Sequence, residues 1–445
     1  VAHLFAADGA AFDYFGSSVA ISGDTAIVGA AIDNTSRGTN AGSAYVFVRS
    51  GEIWSPQAHL FASDGAAFDE FGLYVAISGD TAVVGIWSDD TVGGMDAGSA
   101  SVFVRNGDIW TEEAHLFASD GEAGDNFGTP VSISGDTIIV GAPFDDTLAG
   151  TDAGSAYVFV RNDGAWTEQA HLFASDGEAF DGFGWAAISG DTAIVTADRD
   201  DTPDGTDAGS AYVFVRNGDV WMEEAHLFAS DGAADDLFGA SVAVADDTVV
   251  VGSSADDTRD GIDAGSAYVF VRNAGVWTEQ DHLFASDGAA EEYFAIDVSI
   301  SGDMVAVGTP RDDIQGGINA GSAYVFARNG DVWTVEAHLF ASDGAADDRF
   351  GFSIEMSDDT IVVGAWLDNT LGGTDAGSAY IFDLDCQPAC PTDFDGNGSV
   401  TAADLAALLS GWGPNPGHPA DVDSNGVINA ADLANLLSTW GLCPG

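Results

Sequence analysis

Residues 71–121 read FGLYVAISGDTAVVGIWSDDTVGGMDAGSASVFVRNGDIWTEEAHLFASDG. Apolar and polar positions alternate in four short runs, the period of a strand with one buried face. The runs are LYVAIS from Leu73 (a), TAVVGI from Thr81 (b), SASVFVR from Ser99 (c) and WTEEAHLFA from Trp110 (d). Runs a and b are joined by SGD and runs c and d by NGD. Such tight glycine-containing links predict hairpins. The b–c link is longer, roughly a dozen residues. The pattern predicts four antiparallel strands and no helix.

The same unit recurs along the chain. HLFA has its histidine at His3, His59, His115, His171, His226, His282 and His338, a spacing of 55 or 56 residues. AGSAYVF or a close variant starts at Ala41, Ala97, Ala153, Ala208, Ala264, Ala320 and Ala376, and a Phe-Gly pair opens each unit except at Phe294-Ala295. Constant spacing of a four-stranded unit predicts an all-β seven-bladed β-propeller over residues 1–383. The two ends complement each other: VAHLFA at Val1 is a run d with no unit before it, and SAYIFD from Ser378 is a run c with no run d after it. The N-terminal strand is therefore expected to close blade seven and remove two sheet edges.

FGSSVAISGDTAIVGA from Phe15 and VGAP from Val140 resemble the FG-GAP repeats of integrin alpha subunits and of bacterial secreted proteins. The resemblance covers residues 1–383 and implies the propeller fold and an interaction role. Integrin blades often insert a calcium loop between strands a and b. Here that link is only SGD or similar, so the resemblance does not bring calcium to those positions.

Composition narrows the partners. The formal net charge is −61, from 72 acidic and 11 basic residues, and all the basic residues are arginine. Such a chain repels nucleic acid and anionic membrane surfaces. No apolar run reaches membrane-spanning length. Val1 in place of Met is what a processed or trimmed chain is expected to show. Alternating strand direction places the b–c and d–a loops on one face of the disc, and these loops hold 40 of the 72 acids. Asp145 and Asp146, with Asp152, are the type of set that could contribute to a calcium site. The alternative, that Asp, Gly and Thr simply build and solvate these loops, is preferred. The seven HLFA histidines lie on different blades and cannot converge on one ion. The repeated tryptophans, such as Trp54 and Trp110, are expected to pack, and arginines such as Arg105 and Arg161 to pair with acids. No repeat adds a nucleophile–base set, and no single acidic pair stands out as catalytic.

The tail differs. Counting from Asp393, oxygen donors fall at Asp395, Asn397, Ser399 (backbone carbonyl), Thr401 and Asp404, with Gly398 at the sharp turn. The second copy gives Asp421, Asp423, Asn425, Val427 (carbonyl), Asn429 and Asp432, with Gly426 at the turn. Donors on alternate positions around a glycine are the pattern of an EF-hand calcium loop, with Asp in place of Glu at position twelve. Each loop runs into a helix that Thr401 or Asn429 can cap. Leu405, Leu408, Leu409 and Trp412 form an apolar stripe, repeated by Leu433, Leu436, Leu437 and Trp440.

Duplicated loop–helix units of this kind resemble a type I dockerin. The resemblance implies a small α-helical calcium module over 391–445, two Ca²⁺ ions and a protein partner, after a short Cys/Pro linker at 384–390. Dockerins often carry hydroxyl or longer side chains at loop positions ten and eleven. Here these are Ala402-Ala403 and Ala430-Ala431, which leaves a cohesin-like module, a surface scaffold or a second copy of the chain as partner. Cys390 and Cys443 bracket the module and suit a disulfide clasp in an oxidising compartment.

The expectation is a secreted or cell-surface, calcium-binding, non-catalytic adhesion protein. Two alternatives stand beside it. One is a filament or matrix subunit, a homo-oligomer joined through the tail or N-terminal strand. The other is a carbohydrate-binding, polysaccharide-active enzyme delivered by its dockerin.

Overall fold

The computed structural model describes residues 1–314, 316–384, 399–400, 402–414, 420, 427–429, 432–433, 436–437 and 441–442. Two compact units are present, Val1–Phe382 and Asp383–Gly445. In the first, seven four-stranded antiparallel sheets follow one another around an axis, forming the seven-bladed propeller. Blade one consists of Phe15–Ser22, Thr25–Ala30, Ser43–Ser50 and Ile53–Leu60, which are strands a to d from the axis outward.

Blade seven takes strands a to c from Phe350–Ser357, Thr360–Ala365 and Ser378–Asp383, and strand d from Ala2–Leu4. Ala2 pairs with Ile381, His3 with Tyr380 and Leu4 with Ala379. The ring closes with its own N-terminal strand, as the complementary ends predict.

The core lies between neighbouring blades. Strand b is buried along its whole length (TAIVGA in blade one), because both of its faces meet other blades. One cluster joins Ile27 and Val46 of blade one to Phe71, Val84, Phe103 and Trp110 of blade two. Burying each such side chain stabilises by about 1.5–3 kcal/mol. Strand d is outermost and half-exposed, which its alternating pattern foretells.

The recurring Phe-Gly and Ala-Gly pairs are the joint between blades. Gly42 pairs with Phe71 of the next blade in a parallel bridge. Its φ is +75°, and a Cβ there would lie 2.2 Å from the Phe71 carbonyl oxygen. Gly72, beside that Phe, has φ +96° and would place a Cβ 2.4 Å from Ser43 O. Only glycine allows backbones so close. Blade six departs from this, with Ala295 at φ +67°.

Two features differ from the expected strands. In blade two, strand a begins at Val75 rather than Leu73. Leu73 and Tyr74 line the axial cavity instead. Strand d carries a bulge that frees one side chain: between Ala58 and Pro56 the register skips Gln57. The Trp110 indole N–H of the next blade donates to Gln57 Oε1 at 2.8 Å. Glu113, Gln169, Glu224 and Gln280 do the same for Trp166, Trp221, Trp277 and Trp333. A bulge that re-aims a side chain is thus a blade-to-blade fastener.

In the second unit, the helix Ala402–Ser410 and two short ladders surround a small core. Ser399–Val400 pairs with Gly441–Leu442, and Gly413–Pro414 with Val427–Ile428. Val400, Leu408, Ala420, Ile428 and Leu436 are fully buried there, with Leu405 and Leu433 against them. The expected stripe is narrower than its spacing implies. Leu409, Trp412 and Leu437 remain about half-exposed, and Trp440 lies outside the described residues.

Candidate functional site

The b–c and d–a loops share one face of the propeller, and their acids are largely engaged in building it. Asp145 is buried and accepts hydrogen bonds from the Ser155 hydroxyl at 2.5 Å and the Tyr157 hydroxyl at 3.3 Å. Asp146 Oδ1 accepts the N–H of Asp152 at 2.9 Å. In blades one and seven the equivalent bonds are made by Asn34 to Asn40 N and Asn369 to Asp375 N. A neutral amide serves as well as a carboxylate, so the position requires an oxygen and not a charge. This supports loop-building for Asp145, Asp146 and Asp152.

The d–a loops hold a second set. Asp13, Asp69, Asp125, Asp181, Asp236, Glu292 and Asp348 are buried. Each accepts a backbone N–H three residues earlier, as Asp69 does from Ala66 at 2.5 Å. Burial pushes Asp13, Asp125, Asp181, Asp348 and Glu292 up to about 6, and raises Asp69 and Asp236.

Each HLFA histidine belongs to a polar cluster. His59 stacks on Tyr45 at 3.9 Å, and its two ring nitrogens lie 3.7 Å from Asp8 and Asp33. The Tyr45 hydroxyl donates to Asp8 at 2.9 Å. Burial raises Asp33, but His59, Ser43 and Tyr45 outweigh it and hold the carboxyl below its usual range. Asp145 and Asp256 are held low in the same way. The histidines pack on strand d as expected, and the surrounding network ties the two loop sets to their blade. The arginines also pair as expected: Arg105 Nε lies 2.6 Å from Asp80, and its guanidinium covers Trp110.

One pattern on this face leaves apolar side chains in solvent. At each seam, the residue three before the Phe-Gly pair donates its N–H to a b–c loop carbonyl of the preceding blade. The pairs are Phe12 with Thr374, Phe68 with Thr39, Gly124 with Met95, Phe180 with Thr151, Asp235 with Thr206, Glu291 with Ile262 and Asp347 with Ile318. Six of the seven pairs hold one large apolar side chain, and none holds two. The residue comes from either partner: Phe12, Phe68, Met95, Phe180, Ile262 and Ile318, all between 52% and 67% exposed. The three phenylalanines have φ of +69° to +74°, a left-handed backbone that costs an L-residue about 1–2 kcal/mol. That backbone belongs to the repeat, since Gly124, Asp235, Glu291 and Asp347 hold φ of +66° to +91° at the same position; what burial does not explain is the exposure of the apolar side chains.

Around the axis, the seven strands a enclose a cavity of about 530 Å³. Asp198, Asp297 and Glu355 line it, together with Tyr74 and Trp185. Among the described residues, no three His, Cys, Asp or Glu side chains gather closely enough to hold a metal ion, and no helix is long and apolar enough to cross a membrane.

In the tail, Asp393, Asp395, Asn397, Thr401, Asp421, Asp423, Asn425, Cys390 and Cys443 lie outside the described residues. Ser399 is in a short strand, and Val427 and Asn429 bracket the fully buried Ile428. The position-twelve carboxylates Asp404 and Asp432 are fully buried. Asp432 Oδ2 accepts the Asn429 N–H at 2.9 Å, half of a capping box. The Asn429 amide donates to Val427 O at 2.8 Å. An all-oxygen donor set ending in two buried carboxylates fits a hard cation such as Ca²⁺.

Comparison with known proteins finds a family match in each unit. The FG-GAP repeat matches residues 1–47, 54–103, 110–159, 166–214, 221–270, 277–326 and 333–382. The dockerin type I domain matches residues 391–438. No curated protein matches the chain. Among solved structures, that of Saccharomyces cerevisiae Sqt1 aligns with a TM-score of 0.44 and 10% identity, over 86% of this chain and 98% of that one.

Proposed function

The chain belongs to the FG-GAP repeat family and ends in a type I dockerin domain, and from that premise we propose that it is an extracellular, non-catalytic interaction protein. The propeller's loop face is the recognition platform, and the tail is the docking device. The observation that carries this reading is the seam pattern of exposed apolar side chains. At six of the seven seams one large apolar residue is supplied by Phe, Met or Ile from one blade or the other, among loops that hold 40 of the 72 acids. Such a surface suits a partner that presents basic and apolar side chains together. A second copy would bring acid against acid, so self-association through this face is disfavoured.

In the tail, each loop would hold one Ca²⁺: Asp393, Asp395, Asn397, Ser399, Thr401 and Asp404 for the first, and Asp421, Asp423, Asn425, Val427, Asn429 and Asp432 for the second. Calcium supplies much of the folding energy of so small a core. The half-exposed Leu409 and Leu437 occupy matching positions of the two repeats and give the module an apolar contact surface. A cohesin-like module is the partner class that a dockerin implies.

The test is crosslinking of the calcium-loaded chain to proteins of its own extracellular milieu, wild type beside the triple variant Phe12→Ser, Phe68→Ser, Phe180→Ser. A partner crosslinked to the b–c and d–a loops, with capture at least about tenfold lower in the variant, supports the platform. Turnover of a polysaccharide or peptide by the purified chain, abolished by changing one acidic pair, would replace this reading with an enzymatic one.

A further inference from the structure

The axial cavity is a place where three blades depart from the repeat independently, each adding a carboxyl to its wall. At the position of Asp297, blades one, five and seven carry Ser18, Ser241 and Ser353. A serine there is enough for the seam: Ser18 Oγ accepts the Val75 N–H and Ser353 Oγ the Val19 N–H, each at 3.1 Å. Asp297 does the same for Ile354 N at 2.8 Å, and also accepts Val298 N at 3.0 Å. At the position of Glu355 the other blades carry only Ala or Ser, and at that of Asp198 they carry Ala, Trp, Pro or Ser. The fold is built without these charges wherever they are absent, so packing does not require them.

The cavity's other walls combine serines with apolar and aromatic side chains. Tyr74 of blade two and Trp185 of blade four meet edge to face at 6.0 Å, with blade three between them. Among the described residues, no arginine lines the cavity. Arg199, next to Asp198, is the cation that acts on that carboxyl. Ser17 also lines the cavity and is 7% exposed, and its hydroxyl has no hydrogen-bond partner. The site therefore offers carboxylates, aromatic faces and an unused hydroxyl, with no cation on its wall and Arg199 acting on Asp198 alone.

We propose that this cavity binds a small organic ammonium ion, with Asp198, Asp297 and Glu355 as counter-charges and Tyr74 and Trp185 as the aromatic wall. A volume of about 530 Å³ lies within the range of small-molecule pockets. A bare divalent ion is the poorer occupant, because no three acids converge on one point, whereas an alkylammonium spans separated carboxylates and is attracted to aromatic faces. Burial pushes Asp297 up to about 7, Glu355 up to about 8 and Asp198 up to about 6. The remaining titratable group on the wall, the Tyr74 phenol, is raised and stays neutral. A bound cation favours the ionised carboxyls, so binding near neutral pH releases protons.

This site goes beyond the loop-face platform and does not depend on it. The experiment is calorimetric titration of the full chain, at saturating calcium, with choline and with putrescine, in two buffers of different ionisation heat. The expected result is one saturable site with proton release for at least one amine. Affinity should fall at least about tenfold in Glu355→Gln, which keeps an oxygen for Ser299, and in Trp185→Leu. An Asp146→Asn control on the loop face should match wild type. Absence of saturable binding by both amines, or binding that neither variant weakens, overturns the proposal. Competition by added calcium that disappears in Glu355→Gln also overturns it, in favour of a metal site.

Discussion

Replacing Leu4 by Ala tests ring closure against an internal standard. Leu4 is 5% exposed and packs with Phe15, Val19, Val28 and Ile381 across the seam of blades seven and one. Leu60 holds the same place in strand d of blade one, is 4% exposed, and packs across the next seam with Phe71 and Val84. The two leucines are equivalent in burial and surroundings but not in connectivity, since Leu4 is held only through Ala2–Leu4 and its ladder to blade seven. A buried Leu→Ala change costs about 2–5 kcal/mol. If the N-terminal strand is docked as a full member of the ring, Leu4→Ala and Leu60→Ala should each cost about 3 kcal/mol and agree within about 1 kcal/mol. Urea unfolding at saturating calcium, followed by tryptophan fluorescence, reads both on one scale. The reasoning is refuted if Leu60→Ala is costly while Leu4→Ala stays within about 0.5 kcal/mol of wild type, the range of an exposed substitution. Monomers at all concentrations place the strand in its own ring. Subunits exchanging it would give a stability that depends on concentration.

The joint between blades predicts opposite effects at one repeat position. Gly72→Ala forces a Cβ against Ser43 O and should cost more than about 2 kcal/mol, whereas Ala295→Gly relieves a left-handed alanine and should be neutral or stabilising by up to about 1 kcal/mol; equal denaturation midpoints for the two variants would contradict this. The d–a loop carboxyls predict a pH dependence. Their folded values lie above the unfolded ones, so the native state binds more protons between about pH 4 and 6 and propeller stability falls as pH rises through that window. Asp33, Asp145 and Asp256, held low, act oppositely only as pH falls below their unfolded value, while His226, lowered by burial, opposes the trend below the usual histidine range as one group against five carboxyls. Thermal melts should therefore be higher near pH 5 than near pH 7.5, with a shallower slope in Asp13→Asn; a flat or rising profile would be inconsistent with buried loop carboxylates.

The ring was legible because a repeat of constant length and two complementary ends leave few other topologies. The strands carry a period of two, and strand b, buried on both faces, reads as a continuous apolar run. What the chain concealed depends on neighbours that are distant in sequence. Tyr45, His59, Asp8 and Asp33 come from four segments, and nothing in HLFA alone shows that its histidine stands between two aspartates. The bulge at Gln57 is invisible until Trp110 of the next blade occupies it. The apolar seam residues form one set only in three dimensions, because Phe68 and Met95 fill equivalent seams from opposite partners. The repeat pattern did not single out Asp297 and Glu355, because only closure around an axis places them in one cavity with Asp198. In the tail, helical spacing marked Leu409 and Leu437 as core. The ladders through Val400 and Ile428 fill that space, and these leucines stay at the surface.

Calcium titration of the full chain tests the docking-module account most directly. Calorimetry on metal-stripped protein should show two equivalents bound tightly, with Asp404→Ala and Asp432→Ala each removing one. Limited proteolysis after chelation should then cut within 391–445 and leave the propeller intact. Retention of both equivalents in the two variants, or a tail equally resistant to protease with and without calcium, would contradict the account.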